Sequence, residues 1–231
     1  MLFAGLQKLT LLDYPGHTAC TVFTQGCDLR CPFCHNSSLL DACAAPENPV
    51  LEDEIFSLLA KRRGTLDGIC ITGGEPLLHA ELFAFIRRVR ELGFDVKLDT
   101  NGTHPAALRQ LIDEKLLSMV AMDIKNSPER YARTVGLPHF DLGPVRESTA
   151  LLRENKVPYE FRTTVTDELH RTEDIAAISE WLQGPSAYYI QCYKDSGHIL
   201  HPGLTAPSEE KMRALRDAAL PNLPNTYIRG M

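Results

Sequence analysis

Several features of common protein classes are missing from this sequence of 231 residues, and each absence excludes a class. No apolar run reaches the length of about 18 residues that a membrane-spanning helix needs, so we expect no membrane span. The N-terminus lacks the basic segment, apolar core and small-residue cleavage site of a secretory signal. The 24 Lys and Arg residues are outnumbered by 30 Asp and Glu residues, and this acidic balance disfavours general nucleic-acid binding.

The seven cysteines do not form an even set, which argues against a framework of paired disulfides. Without a secretory signal, we expect a cytoplasmic protein whose thiols stay reduced. Four cysteines outside any motif are predicted to be buried small hydrophobic residues. These are Cys20, Cys43, Cys70 and Cys192.

The other three cysteines lie close together in the stretch QGCDLRCPFCHN, residues 25–36. Cys27, Cys31 and Cys34 have C-x3-C-x2-C spacing, so one short loop can turn three thiolates toward one point. Such a loop suits an iron-sulfur cluster with one iron left open for a substrate. The alternative is a structural zinc ion completed by His35. The chain has no second C-x2-C pair of the kind that zinc loops use more often, which favours the cluster.

Short apolar β-rich runs alternate with helical patterns along the chain, which predicts a parallel α/β sheet with right-handed crossovers. The predicted strands cover residues 18–24, 67–72, 94–100, 117–124, 159–165 and 187–193, with 226–230 as a closing strand. The predicted helices cover residues 51–63, 79–92, 105–116, 145–154, 172–182 and 208–220. Periodicity leaves open whether this sheet curls into a partial barrel. The cysteine loop follows the first predicted strand, at the edge where parallel sheets build their sites.

A second motif, TGGEP at residues 72–76, directly follows the second predicted strand. Gly73 and Gly74 allow the backbone to approach a ligand closely, and the Glu75 carboxylate is suited to an ammonium group. Taken alone, the motif is equally typical of a tight strand-to-helix turn.

The cysteine motif and TGGEP together resemble the radical S-adenosylmethionine (SAM) enzymes, and most of the chain is covered by the resemblance. Within them, LDTNG at 98–102 and MDIK at 122–125 are similar to the activating enzymes of glycyl radical enzymes. These include the activators of anaerobic ribonucleoside-triphosphate reductase and of pyruvate formate-lyase. The resemblance implies a partial (β/α)6 barrel with parallel strands plus a C-terminal helix. It also implies a single domain over residues 1–231, with a core of about 17–194 and a C-terminal extension of 195–231.

The resemblance assigns cofactors to particular residues of this chain. Cys27, Cys31 and Cys34 would hold a 4Fe-4S cluster, and SAM would bind its fourth iron. The SAM contacts would come from Phe33, Gly73, Gly74, Glu75, Asp123 and Lys125. By the same resemblance, a monovalent cation would bind near Asp99, Thr100 and Asp123, with the backbone of Ala121.

By the same resemblance, residues 13–14 correspond to the side of an activating enzyme where the partner's glycine loop enters. Asp13 matches an acidic residue on that side, but Tyr14 replaces a glycine of the usual Asp-Gly-Pro-Gly turn. Lys194 falls near the position of a ribose-contacting histidine in a relative.

The implied reaction is reductive cleavage of SAM to a 5′-deoxyadenosyl radical, which takes a hydrogen atom from a glycine Cα of a partner enzyme. The partner expected is anaerobic ribonucleoside-triphosphate reductase, and the electron donor a flavodoxin- or ferredoxin-like protein. No nucleic acid or membrane partner is expected. Two alternatives stay open: a radical SAM enzyme acting on a small molecule, such as a 7-deazaguanine-type synthase, and a non-catalytic zinc or iron-sulfur binding module.

Three weaker candidates remain. His198 and His201 have metal-ligand spacing, but a solvated role is favoured. Arg87, Arg88 and Arg90 are interpreted as a solvent-exposed helix face, with docking of an acidic electron donor as the alternative. Arg162 is predicted either to pair with a carboxylate such as Asp123 or Glu160, or to contact a ligand.

Overall fold

The computed structural model describes residues 1–195, 197 and 199–231. Its strands are β1 Leu2–Phe3, β2 Gly5–Thr10, β3 Ala19–Thr24, β4 Val50–Leu51, β5 Gly68–Gly73, β6 Asp95–Thr100, β7 Met119–Asp123, β8 Tyr159–Val165, β9 Ala187–Cys192 and β10 Thr226–Arg229. Its helices are α1 Glu52–Lys61, α2 Leu82–Glu91, α3 Pro105–Asp113, α4 Tyr131–Thr134, α5 Gly143–Arg153, α6 Thr172–Leu182 and α7 Glu209–Ala219.

Eight of the strands form one sheet, in the order β10-β9-β8-β7-β6-β5-β3-β2. All neighbours in it are parallel except β2, which pairs antiparallel with β3 at one edge. β1 and β4 form a separate antiparallel pair. Within the described residues the two edge strands, β2 and β10, do not pair with each other. The prediction of an α/β fold with a parallel, incompletely closed sheet is therefore confirmed.

The alternation of side chains along each strand separates an apolar face from a polar one. On β6, Val96 and Leu98 are fully buried in the hydrophobic core. Their neighbours Lys97 and Asp99 lie on the opposite face, where they form an ion pair. On α2, the spacing of Leu82, Phe85, Ile86 and Val89 predicts the face that the structure buries. The helices thus cover one face of the sheet and leave the other lined by charged side chains.

The sequence pattern predicts no strand or helix over the first ten residues, but the structure places β1 and β2 there. In β2 the apolar Leu6 and Leu9 are three residues apart, which does not match the period of two for a half-buried strand. The pairing of β2 with β3 shifts register between Gln7 and Thr10, and this irregularity accounts for the missing alternation.

The four cysteines outside the motif divide into two groups. Cys20 and Cys70 are fully buried, as predicted, but Cys43 is exposed and Cys192 half-buried. Cys43 lies in the loop before β4, where the chain runs over the surface, so the prediction of burial was wrong there.

The C-terminal segment shares the core of the rest of the chain. Met212, Leu215 and Ala219 of α7 are fully buried and belong to the same hydrophobic cluster as Leu182 of α6. β10 then extends the sheet by pairing with β9. None of the helices among the described residues is long and apolar enough to cross a membrane.

Candidate active site

The cysteine loop leaves the carboxyl end of β3 and is held by backbone hydrogen bonds to residues further along. The amide of Gly26 donates to the carbonyl of Leu39 at 2.7 Å, and that of Cys27 to Leu40 at 3.2 Å. The side-chain amide of Gln25 donates to two more carbonyls of the same segment, at 2.9 and 3.2 Å. These bonds close the loop on itself.

All three motif cysteines line one open cavity at this edge of the sheet. Burial raises the pKa of the Cys27 thiol to about 12 and that of Cys31 to about 11, and it also raises the pKa of Cys34. Without a bound cation the three thiols are therefore protonated at neutral pH. Iron would deprotonate them, because a coordinating thiol is bound as the thiolate. Three soft thiolate donors in one cavity thus fit an iron-sulfur group.

The same donor set gives no support to a zinc ion completed by His35. Among residues 1–195, 197 and 199–231, no group of three or more His, Cys, Asp or Glu side chains could hold a metal ion as placed, so the three thiols do not converge on one point. In an iron-sulfur cluster the thiolates are ligands of different irons and need not meet at one point. His35 lines the cavity but is exposed, and its ring packs edge-on against Tyr193 at 5.5 Å.

Gly73 and Gly74 line the cavity opposite the cysteine loop, and the backbones there approach very closely. A Cβ at Gly74 would lie 1.9 Å from the carbonyl oxygen of Gly26, and one at Gly73 would lie 2.2 Å from the amide nitrogen of Thr24. Gly73 also has a φ of +127°, which residues with a side chain rarely adopt. Gly73 is therefore required by the packing of β5 against the end of β3, and Gly74 by the packing of the TGGEP turn against the cysteine loop.

Glu75 is fully buried, and its carboxylate is used by the protein itself. It accepts hydrogen bonds from the Thr100 hydroxyl at 2.8 Å and from the amides of Asn101 and Leu77 at 2.7 and 3.0 Å. Burial raises the pKa of Glu75 to about 7, although these three donors lower it. The side chain thereby ties the TGGEP turn to the end of β6, and its contact with SAM stays a prediction.

Asp99 and Asp123 are brought together on the polar face of the sheet by Arg162. The Arg162 Nε donates to Asp123 Oδ1 at 2.9 Å, and its Nη1 to Asp99 Oδ2 at 3.1 Å. Lys125 donates to the other oxygen of Asp123 at 3.0 Å. Burial disfavours the charged form of Asp123, but Arg162 and Lys125 outweigh it and hold its pKa well below the ordinary range. The prediction that Arg162 pairs with Asp123 is confirmed, whereas Glu160 pairs with Arg229.

Asp28 and Asn101 join the cysteine loop to the end of β6, a contact that the sequence did not reveal. The Asn101 side chain donates to Asp28 Oδ1 at 2.8 Å, and its nitrogen lies 3.9 Å from the Cys27 sulfur. His104 Nε2 lies 3.3 Å from Asp28 Oδ2. Burial raises the pKa of Asp28, but hydrogen bonds from His104, Thr103 and Asn101 bring it down to about 2. An anionic side chain therefore lies directly beside the first cysteine.

His170 is a further residue that the sequence did not single out. Its Nε2 donates to the carbonyl oxygen of Lys125 at 2.9 Å, while its Nδ1 accepts from the amide of Thr166 at 3.1 Å. The ring packs edge-on against Phe33, with centroids 6.3 Å apart. His170 thus holds the segment after β7 against the cysteine loop.

The other predicted residues differ in where they lie relative to the cavity. Phe33 lines the cavity and is buried, whereas Lys194 is exposed. Tyr14 is buried against Gly68 at the start of β5, which is the opposite end of the strand from the cavity. Asp13 accepts a hydrogen bond from Thr21 of β3 at 2.5 Å.

The weaker candidates take other roles. Arg87, Arg88 and Arg90 form ion pairs with Glu114, Glu52 and Asp95 respectively, so each charge has a partner within the chain. His201 donates its backbone amide to the carbonyl of Pro32, while His198 lies outside the described residues, so the pair stays a prediction.

Comparison with known proteins agrees with this geometry. Among curated proteins, the chain is similar to a putative glycyl-radical enzyme activating enzyme of Methanocaldococcus jannaschii, with 32% identity over 99% of this chain and 95% of the relative. It is also similar to a 7-carboxy-7-deazaguanine synthase of Thermococcus kodakarensis (28% identity, 72% of this chain, 70% of the relative). A pyruvate formate-lyase-activating enzyme of Listeria monocytogenes matches with 26% identity over 89% of this chain and 90% of the relative.

Solved structures share the fold. Streptococcus suis SuiB bound to S-adenosylmethionine matches with a TM-score of 0.68 and 15% identity, over 89% of this chain and 48% of that one. The model of the radical SAM superfamily matches residues 21–181, which contain the cysteine loop, the TGGEP turn and the two linked aspartates. The resemblance inferred from the motifs is confirmed: the chain belongs to the radical SAM superfamily and is an enzyme of the kind that uses a 4Fe-4S cluster and SAM.

Proposed function

We propose that this enzyme generates a glycyl radical on a partner protein, and that the partner is anaerobic ribonucleoside-triphosphate reductase. The observation that carries the proposal is the similarity to a putative activating enzyme along nearly the whole length of both chains. The similarity to a pyruvate formate-lyase-activating enzyme over most of the chain supports the same class of substrate.

Within this proposal, Cys27, Cys31 and Cys34 hold the 4Fe-4S cluster, since their thiols line one cavity. SAM binds in the same cavity against the backbone of Gly73 and Gly74, beside Phe33, Asp123 and Lys125, all of which line it. The pair of cofactors supplies a 5′-deoxyadenosyl radical able to remove a hydrogen atom from a glycine Cα.

The side chains around the cavity supply charge and exclude water. Lys125 is the basic group that lowers the pKa of all three cysteine thiols, so its ammonium lies where negative charge collects when they ionise. Burial disfavours its charged form, but Asp123 raises the pKa of Lys125 well above its ordinary value and keeps it protonated. Leu29, Phe33 and Leu40 are buried apolar side chains in the cavity wall. They keep water away from a reactive intermediate.

The unpaired edges β2 and β10 leave one side of the sheet available to the partner's glycine loop. Asp13, at the end of the turn after β2, is half-buried, and its carboxylate is held by Thr21. A glycine has no side chain, so its Cα can enter a narrow site that other residues could not. We propose that the glycine loop enters beside Asp13 and reaches the cavity along the polar face of the sheet.

The test is anaerobic incubation of the reconstituted, reduced enzyme with SAM and the reductase, followed by electron paramagnetic resonance. The expected result is a glycyl radical doublet on the reductase together with release of 5′-deoxyadenosine. Cys31→Ala should abolish both, and the exposed Cys43→Ala is the matched control that should abolish neither. SAM cleavage without a radical on the reductase would contradict the proposal that the reductase is the partner. A radical formed only on pyruvate formate-lyase would identify that enzyme as the partner instead.

The electron donor is proposed to be a flavodoxin- or ferredoxin-like protein. Either should replace a chemical reductant in the same assay. Radical formation that proceeds with dithionite but with neither protein would contradict this assignment.

A second candidate is a radical SAM synthase acting on a small molecule, which the similarity to a 7-carboxy-7-deazaguanine synthase favours. Turnover of a small-molecule substrate without any protein partner would support it. The shorter match, over 72% of this chain, makes it the second choice.

A further inference from the structure

The polar face of the sheet carries a group of five charged side chains that we call the charge cluster: Lys97, Asp99, Asp123, Lys125 and Arg162. It contains two of the three residues at which the resemblance placed a monovalent cation. Every carboxylate oxygen of the two aspartates has a basic partner. Asp99 Oδ1 pairs with Lys97 and Oδ2 with Arg162, while Asp123 Oδ1 pairs with Arg162 and Oδ2 with Lys125.

Strand register creates this arrangement. Asp123 of β7 and Arg162 of β8 are direct partners across the parallel pair, while Asp99 of β6 faces Ala121 of β7. The guanidinium therefore reaches both aspartates from a single position. The planar guanidinium can donate hydrogen bonds to two carboxylates at once. A bound cation would bridge two carboxylates by coordinating their oxygens.

The third expected cation ligand is directed elsewhere. The Thr100 hydroxyl donates to Glu75 at 2.8 Å and accepts from the amide of Gly102 at 3.1 Å. Thr100 precedes Asn101 on the buried side of the strand end and is itself only 3% exposed. Its oxygen is thus engaged with the TGGEP turn, away from the two aspartates.

The charge balance also disfavours an additional cation. Two carboxylates face three basic groups, so the charge cluster carries one net positive charge before any ligand binds. Three of its side chains are well shielded from water, with Lys97 1% exposed and Asp99 and Arg162 each 14% exposed, while Asp123 at the cavity is 32% exposed. A further positive charge here would be repelled by Arg162 and would have to share each carboxylate oxygen with a basic side chain.

We propose that Arg162 takes the place of the monovalent cation in this enzyme, so that its SAM site is complete without one. Arg162 is a positioning residue: it holds Asp123, which in turn holds Lys125 at the cavity. The positive charge that remains is available to the carboxylate of SAM.

The first test measures SAM binding by the reconstituted holoenzyme in potassium chloride and in tetramethylammonium chloride at equal ionic strength. Tetramethylammonium is too large for a carboxylate-lined ion site. With Arg162 in place, the dissociation constant for SAM should differ by less than about twofold between the two salts, which corresponds to about 0.4 kcal/mol. A tenfold weakening in tetramethylammonium would overturn the proposal.

The second test uses Arg162→Gln, which removes the charge and leaves two carboxylates open to an ion. This variant should bind SAM about tenfold more weakly in tetramethylammonium and recover most of the loss in potassium or sodium chloride. Arg87→Gln is the matched control, because Arg87 pairs with Glu114 on the surface. An Arg162→Gln protein that responds to potassium no more than this control would overturn the proposal.

A readout without cofactors separates ion binding from catalysis. For the wild type, the melting temperature of the apo-protein should be the same in the two salts. For Arg162→Gln, potassium should raise the melting temperature, because an ion that binds the folded state stabilises it. If Arg162→Gln does not fold, Arg162→Met, which also removes the charge, gives the same comparison. None of these measurements involves the partner enzyme. They can therefore contradict the role of Arg162 while the glycyl radical assay supports the proposed function, or support that role while the assay contradicts the function.

Discussion

His170 shows how a single buried side chain positions the site. It is fully buried, and both ring nitrogens are used, one by the carbonyl of Lys125 and one by the amide of Thr166. Burial lowers the pKa of His170 to about 4, although its two backbone partners raise it. The ring is therefore neutral at physiological pH, with the proton on Nε2.

A neutral buried histidine makes the stability depend on pH in a predictable direction. As the pH falls below about 6.5 the unfolded chain binds a proton on this residue and the folded chain does not, so stability is lost toward pH 4. Between pH 7.5 and 5 this loss is about 2 kcal/mol. The stability advantage of the wild-type apo-protein over His170→Gln should shrink by that amount, as measured by urea unfolding.

The exposed His139 provides the control for this prediction. The difference between wild type and His139→Gln should be the same at both pH values. A His170→Gln protein that keeps the full pH dependence of the wild type would contradict the prediction.

At Gly74 the constraint is steric. Because a Cβ would lie 1.9 Å from the Gly26 carbonyl, Gly74→Ala must separate the TGGEP turn from the cysteine loop. We expect a loss of about 3 kcal/mol in the free energy of unfolding and reduced iron content after reconstitution. Gly5→Ala is the control, since its Cβ would meet Phe23 at an ordinary 3.4 Å. Equal stability of the two variants would show that the backbones separate easily.

Among the structural elements, α6 anchors the segment that follows β7 and Lys125. Asp174 in the first turn of α6 accepts hydrogen bonds from the amide of Arg171 at 3.0 Å and from the Ser127 hydroxyl at 3.1 Å. It also lies 3.3 Å from Arg130. One carboxylate thus caps the helix and fastens the loop beside the cavity.

Removal of this carboxylate should affect both the helix and the loop. Asp174→Ala should cost about 3 kcal/mol of stability, because Arg130, the buried Ser127 hydroxyl and the Arg171 amide lose their partner. Glu173→Ala, in the same turn but exposed, should cost less than about 0.5 kcal/mol. Chemical denaturation of both apo-proteins measures the difference, and similar losses would mean that helix propensity alone is responsible.

For the whole molecule, the C-terminal segment decides whether the chain is one cooperative unit. Removal of residues 195–231 would expose the α6 surface that α7 buries and leave β9 as a new sheet edge. Burial of each large apolar side chain contributes about 1.5–3 kcal/mol, so the loss of Met212, Leu215 and Leu223 approaches the stability of a typical domain.

We therefore expect the fragment 1–194 to lack a cooperative thermal transition and to aggregate. A chain that lacks only the exposed Gly230 and Met231 should melt like the full-length protein. A stable, monomeric 1–194 fragment would show instead that the extension is a separate unit.

Most of the regular elements could be predicted from the sequence, because their signals are local. β8 and α6 begin and end where the alternation and the helical spacing predicted. β2 could not be predicted, since its register shift removes the alternation and its pairing with β3 is what makes it a strand. Cys43 was misplaced for a related reason, since whether a loop residue is buried depends on what packs over it.

The sequence by itself determined the chemistry of the cavity: three thiols within one loop, two glycines after a strand, and the membership of the superfamily that these motifs indicate. Spacing within a loop constrains geometry directly, so such a site is readable without the fold. Only the tertiary structure decided which charges meet, because Arg162 reaches Asp99 and Asp123 through the register of three parallel strands distant in sequence. It likewise directed Glu75 toward Thr100 and Asn101. Those pairings depend on how the strands pack together, and no local sequence pattern predicts that packing.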